Sequence, residues 1–178
     1  ALGELEKLGA RLEEVHVPSL EYATIANTVI MLSEAFAYHM KNLKSQPHNF
    51  GERVRNRFYL GGIFTAADYV QAQRARSRLK RELAQTLGRV DVLAMPSSVR
   101  PASTFQDANP LAALDRPSFS APFNQTGLPA ISVPCGFNAA GLPIGLQIAG
   151  KPFDEATVLQ VAYAYQQHAR WYEKRPPL

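Results

Sequence analysis

Residues 127–150 read GLPAISVPCGFNAAGLPIGLQIAG, in which the tripeptide Gly-Leu-Pro occurs twice, each time just ahead of a short apolar run. Glycine supplies backbone dihedrals that other residues avoid, and proline has no N–H to give to a strand ladder. A Gly-Leu-Pro copy is therefore a turn leading into the first residue of a strand. This predicts strands at 130–134 (AISVP) and 144–149 (IGLQIA), short, apolar and punctuated by Gly and Pro as buried strands are. A third, VDVLAMP at 90–96, is β-branched and bounded by Pro96. The chain is built around a buried sheet.

The remainder is helical. Tyr22, Ile25, Val29, Leu32, Phe36, Met40 and Leu43 alternate spacings of three and four, which predicts a helix over 19–43 with Ser19 as its cap. Ala and Ile on neighbouring faces predict burial on more than one side. A shorter helix is expected over 52–60. Thr65 and Asp68 form a capping box, with Phe64 and Tyr69 as a staple, so a helix over 66–87 follows, ending at Gly88 as a left-handed cap. Asp154 caps a helix over 155–169, with Phe153 and Val158 as its staple. Leu2, Leu5, Leu8 and Leu12 recur at helical spacing, and VHVP at 15–18 is a short strand or an extended exit. Residues 97–126 hold Pro101, Pro110, Pro117 and Pro122 without periodicity and read as a long ordered loop with room for one helical turn. Loops of that length are usually functional or disordered, and Phe105, Phe119 and Phe123 favour packing. The fold class is α/β, a mixed β-sheet flanked by helices.

Composition bounds the function. With 178 residues, 46% hydrophobic and 19% charged, the chain has the make-up of one globular domain. No apolar run reaches the roughly 18 to 20 residues that span a bilayer, and the first residues lack the apolar core of a secretory signal. A single cysteine, Cys135, forbids an internal disulfide and fits a reducing compartment, so the expected location is cytoplasmic. Net charge is +4, yet eight of the 19 basic residues fall between Arg53 and Arg81. Arg74, Arg78 and Arg81 share one face of a helix whose other face is Ala72, Ala75, Leu79 and Leu83. No aromatic residue interleaves these arginines to stack on bases, so the pattern is a solvated helix face, not a nucleic-acid surface.

Candidate chemistry is sparse. Cys135 ends a strand beside Gly136 without a base nearby to make a thiolate, and lone cysteines commonly pack as small hydrophobes. His16, His39, His48 and His168 form no i, i+4 pair and no HExxH, so a zinc site has no support; no metal or cofactor is expected. Pro96-Ser97-Ser98 follows a strand, where active residues often sit, but no activating base is assignable. The residues taken alone describe half a sheet and no catalytic constellation.

The stretch 119–167, FSAPFNQTGLPAISVPCGFNAAGLPIGLQIAGKPFDEATVLQVAYAYQQ, closely resembles the C-terminal part of amidase signature family enzymes. LGARLEEVHVPSL (8–20), FGERVRNRFYLGG (50–62) and VDVLAMPSSVRPA (90–102) add to the resemblance in order. It implies a hydrolase of carboxamide C–N bonds whose nucleophilic serine is activated through a second serine and a lysine, with an oxyanion hole. Those elements belong to a Gly/Ser-rich segment upstream of anything here, and none of Lys7, Lys41, Lys44, Lys80, Lys151 and Lys174 matches the catalytic lysine's context. The resemblance thus implies one incomplete domain, 1–178, the C-terminal portion of an amidase. It would be inactive alone, completing the sheet and walling the acyl pocket for a small-molecule amide. Its apolar face would be covered by the missing N-terminal half or by self-association.

The resemblance also nominates site residues. Arg57 matches an arginine that grips the substrate carboxylate in tRNA-dependent amidotransferase relatives; the alternative is an arginine bracing a loop carbonyl or Asp. Phe119–Thr126 matches a loop facing the active site, with Phe123 and Asn124 as its contributors; the alternatives are core packing for Phe123 and a backbone turn for Asn124. Amidotransferase subunits pair that arginine with an aspartate where Pro117 stands, which favours a stand-alone amidase. The amide-hydrolysing component of a tRNA-dependent glutamine amidotransferase is the second reading. A non-catalytic interaction module is the third.

Overall fold

The computed structural model describes residues 1–106 and 117–175. In chain order these form α1 (Leu2–Lys7), α2 (Leu20–Ser45), a 3-10 turn (Pro47–Asn49), α3 (Glu52–Gly61), α4 (Ala66–Leu87), β1 (Val92–Pro96), α5 (Ala121–Thr126), β2 (Ala130–Phe137), β3 (Pro143–Gly150), α6 (Glu155–Ala169) and a final 3-10 turn (Trp171–Glu173). The three strands share one sheet in the order β1-β3-β2. Both pairings are antiparallel, with Ala94 and Ile131 each opposite Ile148. The fold is α/β, with helices on both faces of the sheet.

Strand alternation sorts the two faces. Leu93 and Ala149 point to one, where Leu79, Leu83 and Leu87 of α4, Ala23 of α2 and Phe123 of α5 close over them. Ile148, Leu146 and Val133 point to the other, beneath Val158, Ala162 and Tyr165 of α6 and Leu5 of α1. Each fully buried leucine contributes about 1.5 to 3 kcal/mol. The helices over 19–43 and 66–87 therefore cover the sheet as expected, though on one face only; α6 and α1 cover the second. Arg74, Arg78 and Arg81 lie exposed on α4 while Leu79 and Leu83 are buried, as the wheel required.

Local signals were followed unequally. Asp68 N–H donates to Thr65 Oγ1 at 3.2 Å and Thr65 N–H to Asp68 Oδ2 at 2.8 Å, which closes the capping box. Thr157 N–H and Oγ1 both donate to Asp154 Oδ1. Gly127 (φ 72) and Gly141 (φ 76) take the left-handed conformation ahead of β2 and β3, and Pro143 opens β3. Four expectations fail. Gly88 ends α4 with φ −69, right-handed, because a further turn of α-type carbonyl bonding caps the helix instead. Phe153 is 95% exposed at φ 61 and staples nothing. The leucine repeat stops being helical at Lys7, since Gly9 turns at φ 94; of the two readings of VHVP, the strand does not form.

Ser19 is the fourth. Its hydroxyl makes no cap bond; its N–H donates instead to Glu82 Oε2 at 2.8 Å, pinning the start of α2 to α4. That bond, first, and Arg78 at 2.9 Å hold the Glu82 carboxyl below the usual glutamate range. A carboxyl depressed in the native state stabilises it above the unfolded value, and the effect is lost as pH falls through the native value. Glu82→Gln should therefore lower the urea midpoint near pH 7 and narrow its gap to the parent near pH 3.

Candidate functional site

The groove at the carboxyl end of β1 has a floor and two walls. Ser97 continues β1 by donating its N–H to Gly145 O at 2.8 Å, so the chain leaves the sheet only after Ser97. Residues 97–103 then form one wall, Pro117–Ser120 the other, and Pro143–Gly145 the end of β3 between them, around about 950 Å3 of space. The second wall is tied down twice. Gln147, buried on β3, donates its amide to Phe119 O at 2.8 Å, and Ser118 N–H donates to Thr24 Oγ1 of α2 at 2.8 Å.

Alternation puts Gly145, Gln147 and Ser132 on the same face of the sheet as Ser97. The hydroxyls of Ser97 and Ser132 meet 2.5 Å apart, bridging over the strand between them. Gly145 makes room for this: a Cβ there would lie 2.6 Å from one hydroxyl oxygen and 2.7 Å from the other. Among the described hydrogen bonds, no serine hydroxyl meets a Lys, Arg or His side chain. Cys135 is no better placed as a nucleophile, because partial burial pushes its thiol up from the ordinary range.

Phe123 is 3% exposed and belongs to the core with Leu79 and Leu83, matching the packing alternative. Asn124, the next residue of α5, is exposed. That short helix is fixed by Gln125, whose amide donates to Ala23 O at 3.0 Å, and by Arg76, which donates to Gln125 O. Arg57 is half-buried on α3, with no hydrogen bond described for its guanidinium; its neighbour Arg55 braces a loop by donating to Pro47 O at 3.2 Å. α5 meets α2 at Ala23 and the preceding Ser118 meets it at Thr24, whereas α3 meets α2 at Leu32 and beyond. Eight residues of helix separate those anchors by about 12 Å. No contact joins Arg57 to Phe123 or Asn124 among those described, and the groove is lined by Phe119 and Ser120 from the same loop.

Sequence reasoning passed over Ser132, Gly145 and Gln147. The available signal was period-two alternation in AISVP and IGLQIA, which sets Ser132 and Gln147 apart from the Ile and Val positions.

The family model described as amidase matches residues 1–159. The chain belongs to the amidase family. An amidase of Pseudomonas putida is 37% identical over 186 aligned residues, covering 100% of this chain and 40% of that protein. A glutamyl-tRNA(Gln) amidotransferase subunit of Thermodesulfovibrio yellowstonii is 35% identical, over 100% of this chain and 42% of its own length. The solved glutamyl-tRNA(Gln) amidotransferase subunit of Thermotoga maritima superposes with a TM-score of 0.74 at 31% identity, over 96% of this chain and 37% of that one. The chain thus spans about two fifths of the curated relatives it matches. Among the described residues, no helix of this amidase-family chain is long and apolar enough to cross a membrane.

Proposed function

We propose that this chain is the pocket-forming part of an amidohydrolase acting on carboxamide C–N bonds, and that the groups breaking the bond lie outside it. The observation that carries the reading is full-chain similarity to an amidase combined with a serine-lined groove in which no base meets a hydroxyl. In this reading the loop from Phe119 through Asn124 walls the acyl side of the site, and Phe123 holds it by anchoring α5 in the core. Arg57, unpaired among the described contacts, is free to take a substrate carboxylate. Pro117 in place of an aspartate favours a stand-alone amidase on a small organic amide. Similarity to the amidotransferase subunits keeps the amidotransferase reading second.

A chimera tests this: the present chain replacing the matched stretch of the Pseudomonas putida amidase. The folded chimera should hydrolyse amides, and Arg57→Ala should raise KM for a carboxylate-bearing amide about tenfold with little change for an uncharged one. Such a loss is that of one charge-assisted contact. An unchanged KM would remove Arg57 from the site, and a folded but inactive chimera would contradict the reading as a whole.

A further inference from the structure

Resting on the reading of the groove as an acyl pocket, we infer that the Ser97–Ser132 hydroxyl pair is its specificity point, taking an uncharged hydrogen-bond acceptor on the acyl part of the amide. The pair is neutral, and its two oxygens are 2.5 Å apart. One hydroxyl proton is spent between them. The other has no described partner, so the pair offers a single free donor together with spare lone pairs. That inventory suits a carbonyl, ether or hydroxyl oxygen. An anion would want two or more converging donors, and a cation a carboxylate. Arg100 is the one charged residue among the described lining residues; it is exposed, and the bond described there is its backbone N–H to Ser98 Oγ.

The pair is also built rather than incidental. Ser97 stands at the end of β1 and Ser132 on β2, so both sit on strands flanking β3. Their hydroxyls occupy the space that any side chain at position 145 would fill. Gly145 and Ser97 line the groove and Ser132 stands behind them, so the donor that meets a ligand is the Ser97 hydroxyl, with Ser132 donating to Ser97 Oγ. Gln147, two residues along the same face, fixes the Phe119 carbonyl opposite, which sets the width of the opening.

Amide-resolved NMR of the 178-residue chain provides the test, with benzamide, benzoate and toluene as neutral, anionic and apolar probes of one size. Benzamide should shift the amides of Ser97, Ser132 and Gly145 saturably, benzoate should bind at least about fivefold more weakly, and toluene should leave these three resonances unmoved. The Ser97→Ala, Ser132→Ala double variant should weaken benzamide about fivefold, the worth of one hydrogen bond, with the rest of the spectrum unchanged. Ser97→Thr, which keeps the hydroxyl, should bind as the parent does. Saturable benzamide shifts at Phe119 and Ser120 that survive the double variant unaltered would overturn the pair while leaving the groove reading intact. Preference for benzoate would overturn the neutral assignment. Silence of every groove resonance with all three probes would overturn the groove reading, and this inference with it.

Discussion

Replacing Gly61 by leucine should destabilise the protein by about 3 kcal/mol or more, read as a lowered urea midpoint. Overpacking typically costs about 1 to 3 kcal/mol where neighbours can yield. Here they cannot: a Cβ on Gly61 would lie 2.0 Å from the carbonyl oxygen of Leu32 and 2.5 Å from its carbon, both backbone atoms of α2. Even alanine forces the two helices apart, and the gain in helix propensity that alanine usually brings is small at the last residue of α3. Gly62 is different. Its added Cβ would meet the ring of Phe36 at 2.8 Å, a side chain able to turn aside. Gly62→Ala should therefore cost clearly less than Gly61→Ala, and equal costs would mean that the α2–α3 crossing is looser than described.

Leu83→Ala should cost about 2 to 5 kcal/mol, the range for truncating a fully buried leucine. Leu83 is 1% exposed and packs in the cluster that joins α4 to Leu93, Ala149 and Phe123. The loss therefore falls on the contact that seats α5, and with it the Phe119–Asn124 loop, on the sheet. Thermal unfolding followed by circular dichroism measures the cost. A loss under about 1 kcal/mol would show that this cluster closes over the gap.

The same two positions show what could be read from the chain and what could not. Leu83 belongs to a 3.6-residue stripe with Ala72 and Leu79, so its burial follows from sequence alone. Gly61 carries no such mark: a glycine at a helix end is ordinary, and only the approach of α2 makes it necessary. Local chemistry was equally legible in the Thr65–Asp68 box and in the two Gly-Leu-Pro turns, whose partners lie within a few residues. The Ser19–Glu82 bond spans 63 residues and the Ser97–Ser132 pair 35, so both depend on packing that no local rule supplies. Ser19 was legible as a helix start; which of its groups would bond, and to what, was set by α4. The site suffered most, because its floor comes from two strands far apart in the sequence, β1 and β3, and its walls from loops 97–103 and 117–120.

If the proposed function is right, this chain shapes an amide site without carrying the groups that break the bond. Amide hydrolysis by purified residues 1–178, assayed with an uncharged aryl amide, tests it most directly. No turnover above background is expected, with the same null rate for Ser97→Ala and Cys135→Ala. Turnover that persists through purification and disappears in either variant would place the catalytic apparatus inside this chain and overturn the proposed function.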